Sequence, residues 1–455
     1  MTKFQALLLD IKDKQFYKAM LAIALPVMLQ SFISSFINMV DTVMVGRLGE
    51  VEIAAVGIAN QYFFFFMMFL VGLCGGVSVF IAQYWGKKDI ESIRKVLGLG
   101  VVSIAIVTAL FLVVGYANPT WVISLFSNDA TVLRSGSSYL VVIMIGYLFT
   151  GITFLYSFSL RSIGQAKKPL MVNIVALFCN VFLNYTLIFG KFGAPALGVV
   201  GAAWATLISR VLEMVILLLV VYAKDGPLRA SFKELFHFDL AYAKRAYQTI
   251  LPVIMNDIFW GLASLVYIAV YGRLGTQAVA AIQIVNTVNN LFMVVAFGLS
   301  SAAAVLIGNA IGAGEEDRVH AFTRKFMISA VEVSLVMGAI LALTSPLILN
   351  FFEVSQTVRT SAQAILYMTS IIFFIRVMGI MLVVGILRGG GDAARALLIE
   401  GFTMWCVGVP MILLGAFVLK LPVHFVYALA ISEEIVKVIL SLARLRSGKW
   451  IKNLT

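Results

Sequence analysis

The chain has 455 residues, of which 61% are hydrophobic and 12% charged, and its mean hydropathy is +1.00. Most of such a chain can lie in hydrocarbon without leaving charges unpaired, which is typical of a polytopic membrane protein rather than a water-soluble one. The formal net charge of +12 raises the question of nucleic-acid binding, so the positions of the basic residues have to be compared with the predicted elements.

The predicted elements are twelve membrane-spanning helices, six in each half of an all-α protein. Apolar runs of about 20 residues or more cross the roughly 30 Å hydrocarbon layer as a helix, and only a helix satisfies its own backbone groups there. The runs lie at residues 18–45, 53–84, 96–118, 136–159, 169–190, 198–222, 246–271, 279–310, 323–349, 363–387, 396–419 and 423–445. We therefore predict an N-terminal lobe at 1–222, a cytoplasmic linker at 223–244 and a C-terminal lobe at 245–455.

The basic residues lie mostly on one side of this topology. With the N-terminus inside, 25 of the 34 Lys and Arg residues are on that side, 6 are on the other side and 3 are within the spans. Cytoplasmic segments carry such an excess, so we expect a multi-pass protein of the cytoplasmic (inner) membrane with both termini in the cytoplasm. The positive charge is a topology signal that predicts contact with membrane lipids and excludes nucleic acid as a partner.

The second half of the chain repeats the first at an offset of 226 residues. The Leu-Pro-Val at 25–27 returns at 251–253, and the Gly-Arg-Leu-Gly at 46–49 returns at 272–275. Over the 36 residues that begin at the first tripeptide, 12 are identical to their counterparts. Such internal symmetry in a very hydrophobic chain indicates a duplicated transporter with a substrate site between the halves.

Three polar residues of the first half lie at a similar depth in the membrane. Asp41 is about 9 Å from the outer end of its span, and Asn180 and Asn184 are about 16 and 10 Å from theirs. The two amides share one helix face. A carboxylate with two amide oxygens suits a small cation such as Na⁺, and the carboxylate alone suits a proton, so we predict a cation-coupling site here. The alternative is that the amides only satisfy a buried Asp41.

The second half contains a candidate ion pair. Asp257 and Arg376 are each twelve residues from a cytoplasmic residue, Arg245 and Arg388 respectively, which puts both about 18 Å deep. Equal depth and opposite charge predict a bond between them, with a structural or gating role favoured over a place in a proton or substrate path.

Two further charged features lie inside the predicted spans. Arg210 and Glu213 are three residues apart and are predicted to neutralise each other. Glu332 has no predicted partner, and its role stays open.

No arrangement in the sequence points to catalysis. The three cysteines lie in apolar spans without CxxC spacing, and the three histidines are scattered at span ends. A membrane-embedded enzyme, the alternative from another class, needs a His, Ser/Lys or paired-Asp constellation, and the spans contain none. We expect a protein that is not an enzyme, with no catalytic residue and no cofactor other than its coupling ion.

These motifs together resemble the multidrug and toxic compound extrusion (MATE) family. They are the Leu-Pro opening of each half, Val40-Asp41-Thr42 before Gly46, the Leu-Arg-x-x-Gly-x-Ala turns at 160–166 and 387–393, and Asn180 to Asn184 before an aromatic-rich helix end. The resemblance implies two pseudo-symmetric six-helix lobes around a central cleft. It also implies that Asp41 is the ion-linked carboxylate and that Asn180 and Asn184 support it.

The chain departs from the NorM-type branch of that family. Members of this branch carry a Glu on the seventh helix and an Asp on the tenth, where this chain has Trp260 and Val377. The departure implies coupling through Asp41 alone, with Asp257 and Arg376 as an internal ion pair in the same region.

The predicted function is antiport. We expect a monomer that exports small amphipathic, often cationic drugs or toxic metabolites in exchange for Na⁺ or H⁺, with the oxygen-rich ligand set favouring Na⁺. The alternative within transport is a lipid-linked saccharide flippase of the same superfamily. Flippases of that kind usually have two further helices and a more cationic cavity, so twelve spans with few internal Lys or Arg argue against it.

Overall fold

The computed structural model describes residues 14–223, 225–352 and 354–455, apart from the side chain of Asn38. Regular structure in this part of the chain is helical, without a strand. The long helices are α1 (Lys14–Gly46), α2 (Glu50–Lys87), α3 (Ile90–Ala117), α4 (Ala130–Ser162), α5 (Lys167–Phe189), α6 (Gly198–Tyr222), α7 (Leu240–Arg273), α8 (Thr276–Gly312), α9 (Glu316–Leu349), α10 (Gln356–Leu387), α11 (Ala393–Val418) and α12 (Val423–Arg446). The predicted all-α polytopic fold is confirmed.

Helices α1 to α11 are long and apolar enough to cross a membrane. Helix α12 has 24 residues, about 36 Å at the usual helical rise, but carries Glu433, Glu434 and Lys437 in its middle. Charges at that depth are costly unless they are paired. These three residues therefore need partners of opposite charge on α12 itself or on neighbouring helices.

Side-chain caps define the starts of several helices. The Asp129 side chain accepts hydrogen bonds from the backbone amides of Thr131 and Val132 at the start of α4. Together with the Thr131 hydroxyl, whose hydrogen bond is the largest contribution, these donors hold the pKa of Asp129 below its usual value. The carboxylate also compensates the free amide groups of the first helical turn.

The predicted linker contains a short helix, Phe232–Leu235, which docks on α3. A capping box between Ser231 and Glu234 begins this helix, and Glu234 also pairs with Arg94 of α3. A Cβ atom at Gly98 of α3 would lie 1.7 Å from the Leu235 carbonyl oxygen, so only glycine permits this approach. The linker is therefore anchored to the first half of the chain rather than free.

Helices α10 and α11 contain π-helical segments. They lie at Met381–Leu387, Thr403–Gly408 and Leu414–Val418, and the i to i+5 bond from the Arg388 amide to the Val383 carbonyl measures 3.1 Å. The corresponding helices of the first half, α4 and α5, are α-helical throughout. Segments of π-helix shift the residues that follow them around the helix axis and are frequent at functional sites.

The chain divides into two compact units. The N-terminal unit consists of Leu29–Trp85 and Asp89–Ile254. The C-terminal unit consists of Met255–Thr455 with Gly86–Lys88 and the described part of Met1–Met28.

The unit boundaries fall inside α1 and α7, a few residues after Pro26 and Pro252. Proline lacks the amide hydrogen that continues a helix ladder, so a helix is easily bent at these positions. The lobes at 1–222 and 245–455 follow the chain instead, and they stay a prediction. Residues 1–13 of the first lobe lie outside the described residues.

Each unit has its own apolar core. In the N-terminal unit the rings of Phe66 and Tyr147 stack with centroids 4.6 Å apart, and both side chains are almost fully buried. In the C-terminal unit Phe326 and Phe373 are among the largest fully buried side chains. The aromatic residues Phe66 and Tyr147 therefore act in packing, which positions the polar groups around them.

Candidate ion-coupling site

The predicted coupling residues meet in the N-terminal unit. Asn184 Nδ2 donates a hydrogen bond to Asp41 Oδ1 at 2.5 Å and another to Asn180 Oδ1 at 3.1 Å. The i, i+4 spacing places both amides on one face of α5, where Asn180 is 5% and Asn184 is 1% exposed. The structure brings the three residues together across α1 and α5, and their role in cation coupling stays a prediction.

A second polar group lies on α6 and interacts with this one. Arg210 pairs with Glu213 at 2.9 Å, which confirms the predicted pair, and Asn173 Nδ2 donates to Glu213 Oε1 at 3.2 Å. The positive charge of Arg210 also acts on the Asp41 carboxylate. Sequence reasoning treated Arg210 and Glu213 as self-contained. The structure instead supplies Asp41 with both a hydrogen-bond donor and a nearby positive charge, which an ionised carboxylate needs in a membrane.

The orientation of the Asn184 amide bears on which cation fits. Its NH₂ group faces Asp41 and Asn180, and its Oδ1 atom has no hydrogen-bond partner among the described residues. One carboxylate and two amide oxygens are suitable ligands for a hard cation, but the Asn184 amide has to rotate before its oxygen faces Asp41. A proton on Asp41 needs no such rotation.

The predicted ion pair between Asp257 and Arg376 is wrong. Asp257 Oδ1 accepts a 2.7 Å hydrogen bond from Arg388 Nη2, with the two side chains 18% and 12% exposed. Arg376 faces α12, where its Nη1 donates to Tyr427 Oη at 3.2 Å and its Nε lies 3.9 Å from Glu434 Oε1. Helical rise gives the depth of a residue but not the helix face on which it lies. The prediction also treated Arg388 as a cytoplasmic end point, although its long side chain reaches Asp257.

Sequence analysis missed a group of charged residues on α11 and α12. Lys437 Nζ lies 2.9 Å from Glu433 Oε1, 3.5 Å from Glu434 Oε2 and 3.7 Å from Glu400 Oε1. Glu400 also accepts a 2.5 Å hydrogen bond from Asn256 Nδ2 of α7. The signal was present as Glu-Glu-x-x-Lys in the middle of a predicted span, because i, i+3 and i, i+4 spacing places acid and base on one face.

The other residues considered from sequence lie apart from these contacts. Glu332 is exposed on α9 and forms no hydrogen bond or ion pair with the described residues. Trp260 is 46% exposed, whereas Val377 is buried. The pattern of the NorM-type branch is therefore absent at these two positions, but the C-terminal unit contains other carboxylates nearby.

The repeated arginine of the Leu-Arg-x-x-Gly-x-Ala turns has different partners in the two halves. Arg161 Nη2 donates to Gln30 Oε1 at 2.6 Å, and its guanidinium lies over the Phe158 ring at 5.0 Å. Its counterpart Arg388 pairs with the carboxylate of Asp257. The two halves thus share the turn sequence, but the arginine has a neutral partner in the first half and an acidic partner in the second.

Comparison with known proteins agrees with an arrangement in two halves. The family model described as MatE matches residues 26–186 and 252–414, once in each half. A probable multidrug resistance protein NorM of Thermotoga maritima is 28% identical over 438 residues, which cover 96% of this chain and 93% of the relative. Multidrug resistance protein MdtK of Edwardsiella ictaluri is 27% identical over 408 residues, 86% of each chain.

Solved structures show the same fold. A MATE transporter of Vibrio cholerae aligns with a TM-score of 0.87 at 18% identity, over 97% of this chain and 98% of that one. The family model covers well over half of the chain, and the likeness extends through both halves. The chain is therefore a multi-pass membrane protein that belongs to the MatE family, the multidrug and toxic compound extrusion transporters.

Proposed function

We propose that this chain exports small amphipathic, often cationic drugs or toxic metabolites across the cytoplasmic membrane in exchange for a coupling cation. Its relatives from Thermotoga maritima and Edwardsiella ictaluri carry the name of multidrug resistance proteins, which supports the substrate class. The observation that carries the coupling proposal is the hydrogen-bonded group of Asp41, Asn184 and Asn180 inside the membrane-spanning part of the N-terminal unit. Both termini in the cytoplasm and action as a monomer belong to the same proposal.

The coupling step is a change in the charge of Asp41. In its ionised form Asp41 accepts a charge-assisted hydrogen bond from Asn184 and attracts Arg210. Binding of a cation removes the net charge of Asp41 and so weakens both interactions. The free energy of the contact between α1 and α5 therefore differs between the two forms of Asp41. A ligand shifts a conformational equilibrium only through such a difference between states. Alternating access then follows if charged Asp41 stabilises one conformation of the transporter and neutral Asp41 stabilises the other.

The observed amide orientation supports a proton as the coupling ion. Asn184 presents donors to Asp41, an arrangement that a proton leaves in place but that Na⁺ binding disrupts. This reverses the preference for Na⁺ that the ligand types alone suggest. Sodium coupling stays the alternative, with Asp41, Asn180 and Asn184 as the ligands.

Transport into inverted membrane vesicles tests the proposal. A fluorescent organic cation is the probe, and a pH gradient and a sodium gradient are applied separately. We expect the pH gradient to drive accumulation and Asp41→Asn to abolish it, since the amide keeps the size of the side chain but loses its titratable charge. The matched control is Asp225→Asn, which changes an acid that is 97% exposed in the linker. Gradient-driven accumulation at the wild-type rate by Asp41→Asn refutes the coupling role.

The two asparagines are expected to have graded effects. A hydrogen bond to a charged group contributes about 1.5–3 kcal/mol, and Asn184 donates one to the ionised Asp41 carboxylate, so Asn184→Ala should strengthen the apparent affinity for a proton roughly tenfold or more. If Na⁺ is the coupling ion, the same change removes a ligand and should weaken the apparent affinity for Na⁺ instead. Asn180→Ala should have a smaller effect, because Asn180 contacts Asp41 only through Asn184. The measurement is the half-maximal proton or sodium concentration for transport in the same vesicles.

A further inference from the structure

We propose that the C-terminal unit carries a proton-binding site of its own, in which Glu434 takes up one proton within a charged group centred on Lys437. This inference goes beyond the proposed function, which places coupling at Asp41 alone. Its basis is a deficit of positive charge and of hydrogen-bond donors in one mostly buried group of side chains.

Seven ionisable side chains of the C-terminal unit form a connected group. They are the acids Asp257, Glu400, Glu433 and Glu434 and the bases Arg376, Arg388 and Lys437. With every group ionised, the described residues leave one negative charge in excess. An uncompensated charge removed from water costs several kcal/mol, and a carboxyl group in that position normally takes up a proton instead.

The lack of a hydrogen-bond donor assigns this proton to Glu434. Asp257 lies 2.7 Å from Arg388, and Glu433 lies 2.9 Å from Lys437 and accepts a 2.6 Å hydrogen bond from Tyr267 Oη. Glu434 forms no hydrogen bond with the described residues, and its closest cations are Lys437 at 3.5 Å and Arg376 at 3.9 Å. Glu400 is no closer to a cation, at 3.7 Å from Lys437 and 3.9 Å from Arg388, but it accepts the hydrogen bond from Asn256. Glu434 is therefore the one acid of the group that lacks a hydrogen-bond donor among the described residues.

Hydrogen bonding gives an independent indication of the same deficit. Within this group and its amide neighbours, the buried acceptor atoms Asn256 Oδ1, Asp257 Oδ2 and Asn289 Oδ1 have no partner among the described residues, and the one unused donor is Arg388 Nε. Asn256 is 1% exposed, and its amide touches Glu400 at 2.5 Å, so this unpartnered oxygen lies at the charged group itself. A protonated carboxyl group adds the O–H donor that these acceptors lack.

The duplication explains why the carboxylate comes from α12. The constant offset of 226 residues places Tyr267 where the first half has Asp41, and the acid of α7, Asp257, lies ten residues earlier. Tyr267 instead donates to Glu433. A Cβ atom at Gly408, the last residue of a π-helical segment, would lie 2.7 Å from Glu433 Oε2 and 2.1 Å from Tyr267 Oη. The backbone of α11 thus leaves room for the acids of α12.

Every helix packed around Glu434 contributes polar groups whose state affects the proton. The charged and titratable groups are Asp257, Tyr267 and Tyr271 of α7, Arg376 and Arg388 of α10, Glu400 of α11, and Tyr427, Glu433 and Lys437 of α12, with the amides of Asn256 and Asn289. Lys437 is shared by three carboxylates and Arg388 by two, whereas Arg376 donates to Tyr427 Oη and lies 3.9 Å from Glu434, so no base neutralises Glu434 fully.

Infrared difference spectroscopy on the purified full-length protein tests the inference. The C=O stretch of protonated carboxyl groups is titrated at pH values above those at which exposed carboxyl groups ionise. The background is Asp41→Asn, so that a failure of the coupling proposal and a failure of this one are distinguishable. We expect one titrating carboxyl band to remain in that background and to be lost when Glu434→Gln is added.

Two matched variants control for nonspecific effects. Glu91→Gln removes an acid that is 76% exposed, and Glu332→Gln removes a carboxyl group from the membrane-spanning part of α9; both should leave the band unchanged. Retention of the band in Glu434→Gln, its absence from Asp41→Asn alone, or its loss in Glu332→Gln overturns the inference. If Glu434→Gln does not fold, Glu434→Asp is measured instead. An unchanged titration midpoint in Glu434→Asp also overturns it, whereas a shifted midpoint supports it.

Discussion

The bond between Asp257 and Arg388 should be measurable as an energetic coupling, because the two residues are joined at 2.7 Å and are mostly buried. Breaking a buried ion pair by removing one partner costs about 3–5 kcal/mol, since the other charge is left without compensation. The two single substitutions should not be equal. Arg388→Ala leaves Asp257 without a described cation within 4 Å, so we expect a loss near the top of that range. Asp257→Ala leaves Arg388 with Glu400 at 3.9 Å, so its loss should be smaller, about 1–3 kcal/mol.

A double-mutant cycle isolates the pair. The free energy of unfolding of the full chain is measured in mixed detergent micelles for the wild type, both single variants and the double variant. We expect the double variant to recover about 1–3 kcal/mol relative to the sum of the single losses. The matched control is the cycle of Asp257→Ala with Arg318→Ala, since Arg318 pairs with Glu315 outside this charged group, and it should be additive within about 0.5 kcal/mol. A third cycle, Asp257→Ala with Arg376→Ala, should show weaker coupling than the cycle with Arg388, because these two side chains are connected only through other members of the group.

Two results refute this reasoning. Additive losses for Asp257 and Arg388 mean that their side chains do not compensate each other. Strong coupling between Asp257 and Arg376, with none to Arg388, restores the pairing expected from sequence and contradicts the structure.

Three further predictions concern other parts of the fold. In intact cells, Lys191→Cys and Lys420→Cys should react with a membrane-impermeant thiol reagent added outside, and reaction only after the cells are opened contradicts the predicted topology. Gly408→Ala should destabilise the protein by about 1–3 kcal/mol in thermal unfolding, because the new methyl group overlaps the hydrogen bond between Tyr267 and Glu433. The control Gly57→Ala has no atom within 4 Å of the new group, and an equal loss there would rule out the overlap as the cause. Ser231→Ala should cost about 1 kcal/mol of local stability by removing the capping box, seen as faster amide hydrogen exchange in residues 232–235; unchanged exchange there means that the cap is not needed.

The N-terminal candidate site was within reach of the sequence. Asn180 and Asn184 lie on one helix, where their spacing alone places both amides on the same face. Asp41 reaches the same layer from the same side of the membrane, and the structure joins it to Asn184. Depth and spacing were sufficient here because the site has few members and two of them share one face of a single helix.

The C-terminal group was not predictable by the same reasoning. Its residues come from α7, α10, α11 and α12, and their partners depend on how each helix is rotated about its axis. The π-helical segments in α10 and α11 add to the difficulty, because each shifts the following residues around the axis. Arg388 lies directly after such a segment and pairs with Asp257.

The sequence by itself determined the number of long helices, the duplication and the expected orientation in the membrane. These features depend on hydropathy, on the distribution of basic residues and on a constant offset, and all three follow from the order of residues along the chain. Only the tertiary structure decided which buried charges meet. Lys437 can contact Glu400, Glu433 and Glu434 at once because two helices bring these side chains within 4 Å, and that proximity depends on helix rotation and side-chain reach in three dimensions.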